Sequence, residues 1–205
     1  MQIDKSQISG LILAGGRGRR VGERDKGLIA HKDKRLIEHQ VLWLSRQLDS
    51  IFISANRNHK DYLSFGYPVI SDGDIECYID NAHSDFAGPL TGVLSGFANS
   101  QNEWLFVLPV DQPDLPANLI QIMTDYIHRN ELNNYVYCME TESREHYLPL
   151  LINRKCLAAL IDFITHGKAK ISEFLSLLNT GIFNPDLNES HFTNLNNIDD
   201  FVDLD

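Results

Sequence analysis

A glycine-rich segment with clustered positive charge is the part of the chain best suited to chemistry. Residues 8–28 read ISGLILAGGRGRRVGERDKGL, in which an apolar run ends at Gly15-Gly16 and is followed by basic side chains: Arg17, Arg19, Arg20, Arg24 and Lys26. Glycines let a backbone approach a ligand closely, and their N–H groups can point at phosphate oxygens. Arginine and lysine supply the complementary charge. The segment therefore predicts a polyphosphate site.

Two better-known phosphate-binding motifs do not match this segment. The NTPase P-loop requires Gly-Lys followed by Ser or Thr, whereas Gly22 is followed by Glu23. The dinucleotide motif GxGxxG, if it began at Gly16, would require a glycine where Val21 stands. A simpler alternative is an ordinary strand-to-helix turn with a solvated basic face.

Composition narrows the classes of protein and ligand. The 205 residues are 43% hydrophobic and 22% charged, as expected for one soluble domain with a substantial core. The net charge is −10, yet positions 17–26 hold five of the 18 basic residues, which favours a local anion site over a nucleic-acid surface. The chain has no long apolar run and no signal-peptide core near its start, and its three cysteines form no CxxC motif. We therefore expect a cytoplasmic protein with free thiols.

Alternating strands and helices are predicted around the glycine-rich segment. Apolar runs predict strands at 8–14, 51–55, 68–70, 104–110, 134–139, 147–152 and from 182 onward. Helical spacing predicts helices at 35–48, 59–65, 88–98, 117–129, 154–165 and 170–178, with a short acidic helix after Asn197. Pro149 favours an edge or irregular position for its strand, and residues 73–87 are expected to form an irregular loop.

This alternation predicts an α/β fold, in which helices cover both faces of a mainly parallel sheet. Ligands bind such sheets beyond the carboxyl ends of the strands. The Gly15-Gly16 loop, Asn56, Asp72 and Asp111 each follow a predicted strand directly. We therefore expect these four polar features to converge on one edge of the sheet.

Each of these side chains has a chemical and a simpler interpretation. Asp111 follows the most apolar strand, where a carboxylate could hold Mg²⁺ together with substrate phosphates, or could simply end the strand in a turn. Lys26 could neutralise phosphates or lie exposed at the surface. Asn56 and Asp72 could complement the hydrogen-bonding edge of guanine, or could be turn residues.

The residue pattern of the glycine-rich segment also resembles that of a known family. The pattern LAGG-x3-R-x-G-x2-DKGL, residues 13–28, is similar to the signature of molybdenum cofactor guanylyltransferases, which belong to the wider family of enzymes that transfer nucleoside monophosphates to phosphorylated acceptors. Val21 stands where that family commonly has methionine. Further similar stretches are SANRN (54–58), GPLTGVLS (88–95) and the segment 109–113, and FTNLNNIDDF near the end resembles the family's NxN motif. The two glycines of GPLTG suit either close approach of a ligand or close packing.

The resemblance implies a fold, an activity and a set of site residues. It implies a single Rossmann-like domain of the nucleotide-diphospho-sugar transferase type, with residues 8–130 binding nucleotide and 131–205 binding the acceptor. The implied reaction transfers GMP from GTP to molybdopterin-bound molybdenum cofactor and releases pyrophosphate. Arg20 and Lys26 would bind the phosphates, Asp111 would bind Mg²⁺, and Asn194 and Asn196 would bind the acceptor. The implied GTP-binding set is Leu13, Ala14, Gly15, Lys26, Asn56, Asp72 and Asp111.

Two alternatives remain open from the sequence. The first is the same transfer with another nucleotide or acceptor, such as CTP or a sugar phosphate. The second belongs to a different class, a nucleotide sensor that binds in this pocket without catalysis. Asparagines in a polar tail are often turn formers, so Asn194 and Asn196 also have a structural interpretation.

Overall fold

The computed structural model describes residues 2–15, 25–79, 88–142, 144–184, 187–196 and 200–201, with the side chain of Cys77 excepted. Arg20 and most of the basic loop therefore lie outside the described residues. The short acidic helix predicted after Asn197 also falls largely outside them.

The described residues contain nine strands, and seven of them form one sheet. In chain order they are β1 Ile8–Leu13, β2 Ala30–His31, β3 Lys34–Arg35, β4 Ile51–Ser54, β5 Val69–Ile70, β6 Trp104–Pro109, β7 Val136–Glu140, β8 Glu145–Asn153 and β9 Thr180–Phe183. The large sheet has the order β5-β4-β1-β6-β8-β7-β9, and β2 pairs with β3 in a small separate hairpin. Each predicted strand is confirmed within a few residues, whereas the hairpin of β2 and β3 was missed because these strands, Ala-His and Lys-Arg, form no apolar run.

The helices also match the predicted pattern. They are α1 Leu36–Ser45, α2 His59–Leu63, α3 Pro89–Asn99, α4 Leu119–Arg129, α5 Leu157–Thr165 and α6 Ile171–Ser176. Among the described residues, no helix is long and apolar enough to cross a membrane. The loop prediction for 73–87 is wrong in its first part, because Asp72–Cys77 forms a 3-10 helix whose start is capped by the Asp74 carboxylate on the Ser71 N–H, at 3.2 Å.

The sheet is mostly parallel, as predicted. The pairs β5–β4, β4–β1, β1–β6 and β7–β9 are parallel, while β8 runs antiparallel to both of its neighbours. Six strands therefore end at one edge of the sheet, and β8 begins there. Among the described residues, this edge carries Gly15, Asn56, Asp72 and Asp111, each of which the sequence placed after a strand.

The strand that contains Pro149 is interior, so the edge alternative is wrong and the irregular one is correct. Pairing of β8 with β6 begins only at Leu150, and its register with β7 shifts between Tyr137 and Met139. Proline has no N–H to donate to a ladder, so an interruption at this point lets the strand remain inside the sheet.

Side chains on the two faces of the sheet form separate cores. Ile12 points into a core with α1 and α4, and its neighbour Leu11 points into the other core with α3 and α5. Helix α3 lies especially close to β1: a Cβ added at Gly92 would stand 2.7 Å from Leu13 Cδ2, and one at Gly96 would stand 2.8 Å from Leu11 Cδ2. Of the two interpretations for the GPLTG glycines, close packing therefore explains Gly92.

Candidate functional site

Asn56 and Asp72 meet at the ends of neighbouring strands and form a reciprocal pair. The Asn56 amide donates from Nδ2 to Asp72 Oδ2 at 2.8 Å, and its Oδ1 accepts from the Asp72 backbone N–H at 2.9 Å. Because β4 and β5 are parallel neighbours, their ends deliver these residues side by side. We call these two residues the amide–carboxylate pair.

Asp72 occupies a partly buried position that disfavours its charge. Burial raises the pKa of the Asp72 carboxyl, and the hydrogen bond from Asn56 partly opposes that shift. A carboxylate kept where ionisation is unfavourable is a frequent feature of binding and catalytic sites. The Asp72 carboxylate is thus suited to a ligand that can donate hydrogen bonds to it.

Lys26 and Asp111 form a second pair at the same edge. Lys26 Nζ lies 2.6 Å from Asp111 Oδ2, and their side chains are only 19% and 14% exposed. Asp111 follows β6, while Lys26 begins a short 3-10 helix, Lys26–Leu28. The attraction between the two charges of a partly buried ion pair is stronger than that between the charges of a solvent-exposed pair.

The two asparagines near the end of the chain contact this ion pair directly. Asn194 Nδ2 donates to Asp111 Oδ1 at 3.1 Å, and Lys26 Nζ donates to Asn196 Oδ1 at 3.0 Å. The backbone is anchored as well, since the Leu195 N–H donates to the Asp111 carbonyl at 2.9 Å. Lys26, Asp111, Asn194 and Asn196 are called the lysine–aspartate cluster below.

Gln112 supports this cluster, although the sequence analysis did not single it out. It is 3% exposed, and its Nε2 donates to Asn194 Oδ1 at 2.8 Å and to the Phe192 carbonyl at 3.2 Å. Gln40 Nε2 in turn donates to the Gln112 carbonyl at 2.6 Å. These bonds orient the Asn194 amide so that its Nδ2 faces Asp111. The only available signal was an amide residue directly after the aspartate.

Asp25 is the second residue that the sequence analysis passed over. It precedes Lys26, is 8% exposed, and accepts hydrogen bonds from Tyr62 Oη at 2.5 Å and from Asn58 Nδ2 at 2.9 Å. Burial and the bond to Asp25 raise the pKa of Tyr62, so its hydroxyl stays a donor at neutral pH. The sequence feature that could have indicated Asp25 was its position directly before Lys26, the candidate phosphate-binding lysine.

Leu13, the last residue of β1, and the two residues that follow it lie at the site edge, and two of the three use backbone groups in hydrogen bonds to neighbouring segments. The Leu13 carbonyl accepts from the Val110 N–H at 3.1 Å, and the Ala14 N–H donates to the Ser54 carbonyl at 2.9 Å. Gly15 lies beside the amide–carboxylate pair, because a Cβ added to it would be 3.5 Å from Asn56 Nδ2. Leu13 and Ala14 thus hold the sheet in register, and Gly15 lies next to Asn56.

Asp111 has the donor chemistry for Mg²⁺. Each of its carboxylate oxygens accepts one hydrogen bond, from Lys26 or from Asn194, and each retains a second lone pair. Among the residues that the structure describes, no group of three or more His, Cys, Asp and Glu side chains could hold a metal. One carboxylate therefore suits an ion bound mainly through substrate phosphates, which is the usual way that proteins hold Mg²⁺.

Comparisons with known proteins show what the whole chain is similar to. Residues 10–180 match the MobA-like NTP transferase domain. The chain is 34% identical to a molybdenum cofactor guanylyltransferase from Haemophilus influenzae over 94% of this chain and 95% of that protein, and 34% identical to one from Cupriavidus metallidurans over 82% and 80%. Among solved structures, molybdopterin-guanine dinucleotide biosynthesis protein A from Archaeoglobus fulgidus has the same fold, with a TM-score of 0.73, 20% identity and 94% coverage of both chains.

Proposed function

The chain belongs to the family of MobA-like NTP transferases, and on this basis we propose that it transfers GMP from GTP to the phosphate of molybdopterin-bound molybdenum cofactor. The products are the guanine dinucleotide form of the cofactor and pyrophosphate. The observation that carries the proposal is the meeting of an amide–carboxylate pair and a lysine–aspartate cluster at one edge of the sheet. A nucleotide base needs hydrogen-bonding side chains, which the amide–carboxylate pair provides, and a polyphosphate needs positive charge, which Lys26 provides.

The amide–carboxylate pair supports selection of guanine. Asp72 uses Oδ2 for Asn56, which leaves Oδ1 to accept from the N1–H and N2–H₂ donors of guanine. Asn56 spends one Nδ2 proton on Asp72, and the second can donate to guanine O6. Adenine and cytosine lack this order of donors and acceptors, so the pair would discriminate against them.

The lysine–aspartate cluster suits the triphosphate. Lys26 would exchange its contact with Asp111 for phosphate oxygens, and Gly15 and Arg20 would add donors from the adjoining loop. Asp111 would hold Mg²⁺, which when bound supplies positive charge to the phosphate oxygens. Leu13 and Ala14 would complete the floor beneath the nucleotide.

Catalysis in this proposal rests on alignment and charge. The acceptor phosphate is already a nucleophile, so the protein has to place it in line with the α-phosphate and stabilise the charge that develops on pyrophosphate. Lys26 and Arg20 would face that leaving group. Residues 131–205 would bind the acceptor, with Asn194 and Asn196 at the junction between the acceptor and the lysine–aspartate cluster.

Thermal shift with GTP, CTP, ATP and UTP, each with Mg²⁺, tests the nucleotide assignment. A ligand that prefers the folded state raises the melting temperature, and at 100 times its Kd it adds about 2.7 kcal/mol to stability. We expect GTP to give the largest shift, and we expect the shift to shrink when EDTA replaces Mg²⁺. A larger shift with CTP or UTP would assign the chain to a sister reaction with another nucleotide.

Turnover separates a transferase from a sensor. With GTP, Mg²⁺ and the molybdopterin acceptor, pyrophosphate should appear in proportion to the guanine dinucleotide product. Acceptor-free reactions serve as the control, because slow hydrolysis would release pyrophosphate without product. Tight GTP binding with no acceptor-dependent product would favour the sensor.

A further inference from the structure

Asp25 is a buried carboxylate with two hydrogen-bond donors and one arginine around it. Its side chain is 4% exposed, and Arg57 Nε lies 3.5 Å from Oδ2. Tyr62 Oη donates to Oδ1 at 2.5 Å, and Asn58 Nδ2 donates to Oδ2 at 2.9 Å. An ionised carboxylate is retained in the interior only when such partners compensate for its lost hydration.

All three partners of Asp25 come from the segment that follows β4. Arg57 and Asn58 are the next residues after Asn56, and Tyr62 lies in α2, which begins directly after Asn58. Asn58 has a φ of 54°, a left-handed conformation that asparagine tolerates better than most residues do. One carboxylate therefore joins the segment that carries Lys26 to the segment that carries Asn56.

The residue after Lys26 belongs to the same arrangement. A Cβ added to Gly27 would stand 2.4 Å from Tyr62 Oη, so only glycine lets the tyrosine hydroxyl reach Asp25. The sequence Asp25-Lys26-Gly27 thus contains the buried carboxylate, the lysine of the Lys26–Asp111 ion pair, and the glycine that leaves room for the Tyr62 hydroxyl. Neither Asp25 nor Gly27 has a direct role in the proposed chemistry.

We propose that Asp25 is a positioning residue that holds Lys26 and Asn56 at the separation between the phosphates and the base of one nucleotide. The inference rests on the proposed function, since it requires that Asn56 and Lys26 bind opposite ends of the same ligand. Two subsites on a rigid frame bind a joined ligand far better than its separate parts, because no further ordering is needed after the first contact. Loss of the Asp25 carboxylate leaves both subsites present and removes their fixed spacing.

The test compares whole and divided ligands. Tyr62→Phe removes one donor to Asp25 and keeps the aromatic packing, and Asp25→Asn removes the charge. The Kd of GTP, guanosine and inorganic tripolyphosphate is measured with Mg²⁺ for each variant. We expect GTP to bind about tenfold more weakly, as for loss of a hydrogen bond to a charged group, while both parts stay within about twofold of wild type.

Tyr137→Phe is the matched control. Tyr137 is fully buried and accepts a hydrogen bond from the Asn134 N–H at 2.9 Å, near the start of β7 and away from the site edge. It should lower the melting temperature about as much as Tyr62→Phe does, with GTP binding unchanged. The difference in GTP affinity at similar stability then isolates positioning from folding.

Two results would overturn the inference. One is GTP affinity in Tyr62→Phe equal to that of Tyr137→Phe. The other is a loss for guanosine or tripolyphosphate as large as that for GTP, which would mean that Asp25 only shapes one subsite. If the wild type prefers another nucleoside triphosphate, the proposed function is wrong, and the same comparison with that nucleotide and its nucleoside tests the positioning role.

Discussion

The amide–carboxylate pair and the lysine–aspartate cluster lie at one sheet edge but are built differently. Asn56 and Asp72 are 16 positions apart and follow neighbouring strands, so the pairing of β4 with β5 brings them together. Lys26 is 85 positions from Asp111 and 170 from Asn196. The amide–carboxylate pair therefore follows from strand order, whereas the lysine–aspartate cluster is complete only when Asn194 and Asn196 pack against the edge of the sheet.

The two groups also differ in how their charge is balanced. In the amide–carboxylate pair, Asp72 meets a neutral amide, and burial raises the pKa of its carboxyl. In the lysine–aspartate cluster, Asp111 meets a lysine. Removing the charge of Asp72 should therefore stabilise the folded protein, whereas removing either charge of the Lys26–Asp111 pair leaves the other charge uncompensated. Variants of both groups test this contrast, in decreasing order of expected effect.

Asp111→Asn should have the largest effect, a loss of at least about 100-fold in turnover, as when a principal transition-state contact is removed. The shape of the side chain is kept, so the far-ultraviolet circular dichroism should match wild type. Acceptor-dependent pyrophosphate release at saturating Mg²⁺ measures the effect. Asp114→Asn is the control, since Asp114 is an exposed aspartate of the same loop whose carboxylate pairs with Lys32. Near-wild-type turnover of Asp111→Asn would remove the metal assignment.

Lys26→Ala should weaken GTP binding about 10- to 100-fold, the range expected when a charge-assisted hydrogen bond is lost. It also leaves Asp111 without its cation, so the melting temperature should fall. Isothermal titration with GTP and Mg²⁺ gives the affinity, and Lys32→Ala, which removes an exposed lysine, should leave it unchanged. Equal affinities in the two variants would make Lys26 a purely structural residue.

Asp72→Asn should reduce the preference for GTP over ATP about tenfold, because an amide has a single accepting oxygen, whereas the carboxylate can accept from Asn56 at Oδ2 and from guanine at Oδ1. The same substitution should make the folded protein more stable at neutral pH, although it weakens the preference for GTP. The pKa of folded Asp72 is raised, so the native state binds more protons than the unfolded state as pH rises from about 3.8, and the wild type loses stability relative to the variant through that window.

Melting curves of Asp72→Asn and wild type across pH 3 to 7 measure this effect. The variant should be the more stable protein at pH 7, and the two should converge in acid. Asp49→Asn, an exposed site before β4, controls for loss of a surface charge. A variant that is less stable than wild type at pH 7 would mean that the Asp72 charge supports the fold.

Asn196→Ala should have the smallest effect, a change of a few-fold, because it removes one neutral acceptor from Lys26. Which parameter changes is informative. A higher KM for GTP would mean that Asn196 orients Lys26, and a higher KM for the acceptor alone would support the acceptor-binding assignment. Asn130→Ala, on the exposed end of α4, should change neither value.

Local sequence patterns were enough for most of the fold. Apolar runs located β1 and β6, and the placement of polar residues after strands predicted that Asn56, Asp72 and Asp111 share one edge. These predictions succeed because strand and helix periods act over a few residues, and because parallel strands end together. In β8 the local pattern conflicts with the fold, since Pro149 interrupts the strand and only pairing on both sides keeps it in the sheet.

The sequence by itself determined which residue types could bind a nucleotide and where along the chain they stand. Tertiary structure alone decided the contacts of Asp25 with Tyr62, of Gln112 with Asn194, and of Asn196 with Lys26. These pairs have no periodic signal, because each joins segments that become neighbours only after the sheet has formed. A hydrogen bond requires its two atoms within about 3 Å, and no pattern along the chain encodes that distance between remote residues.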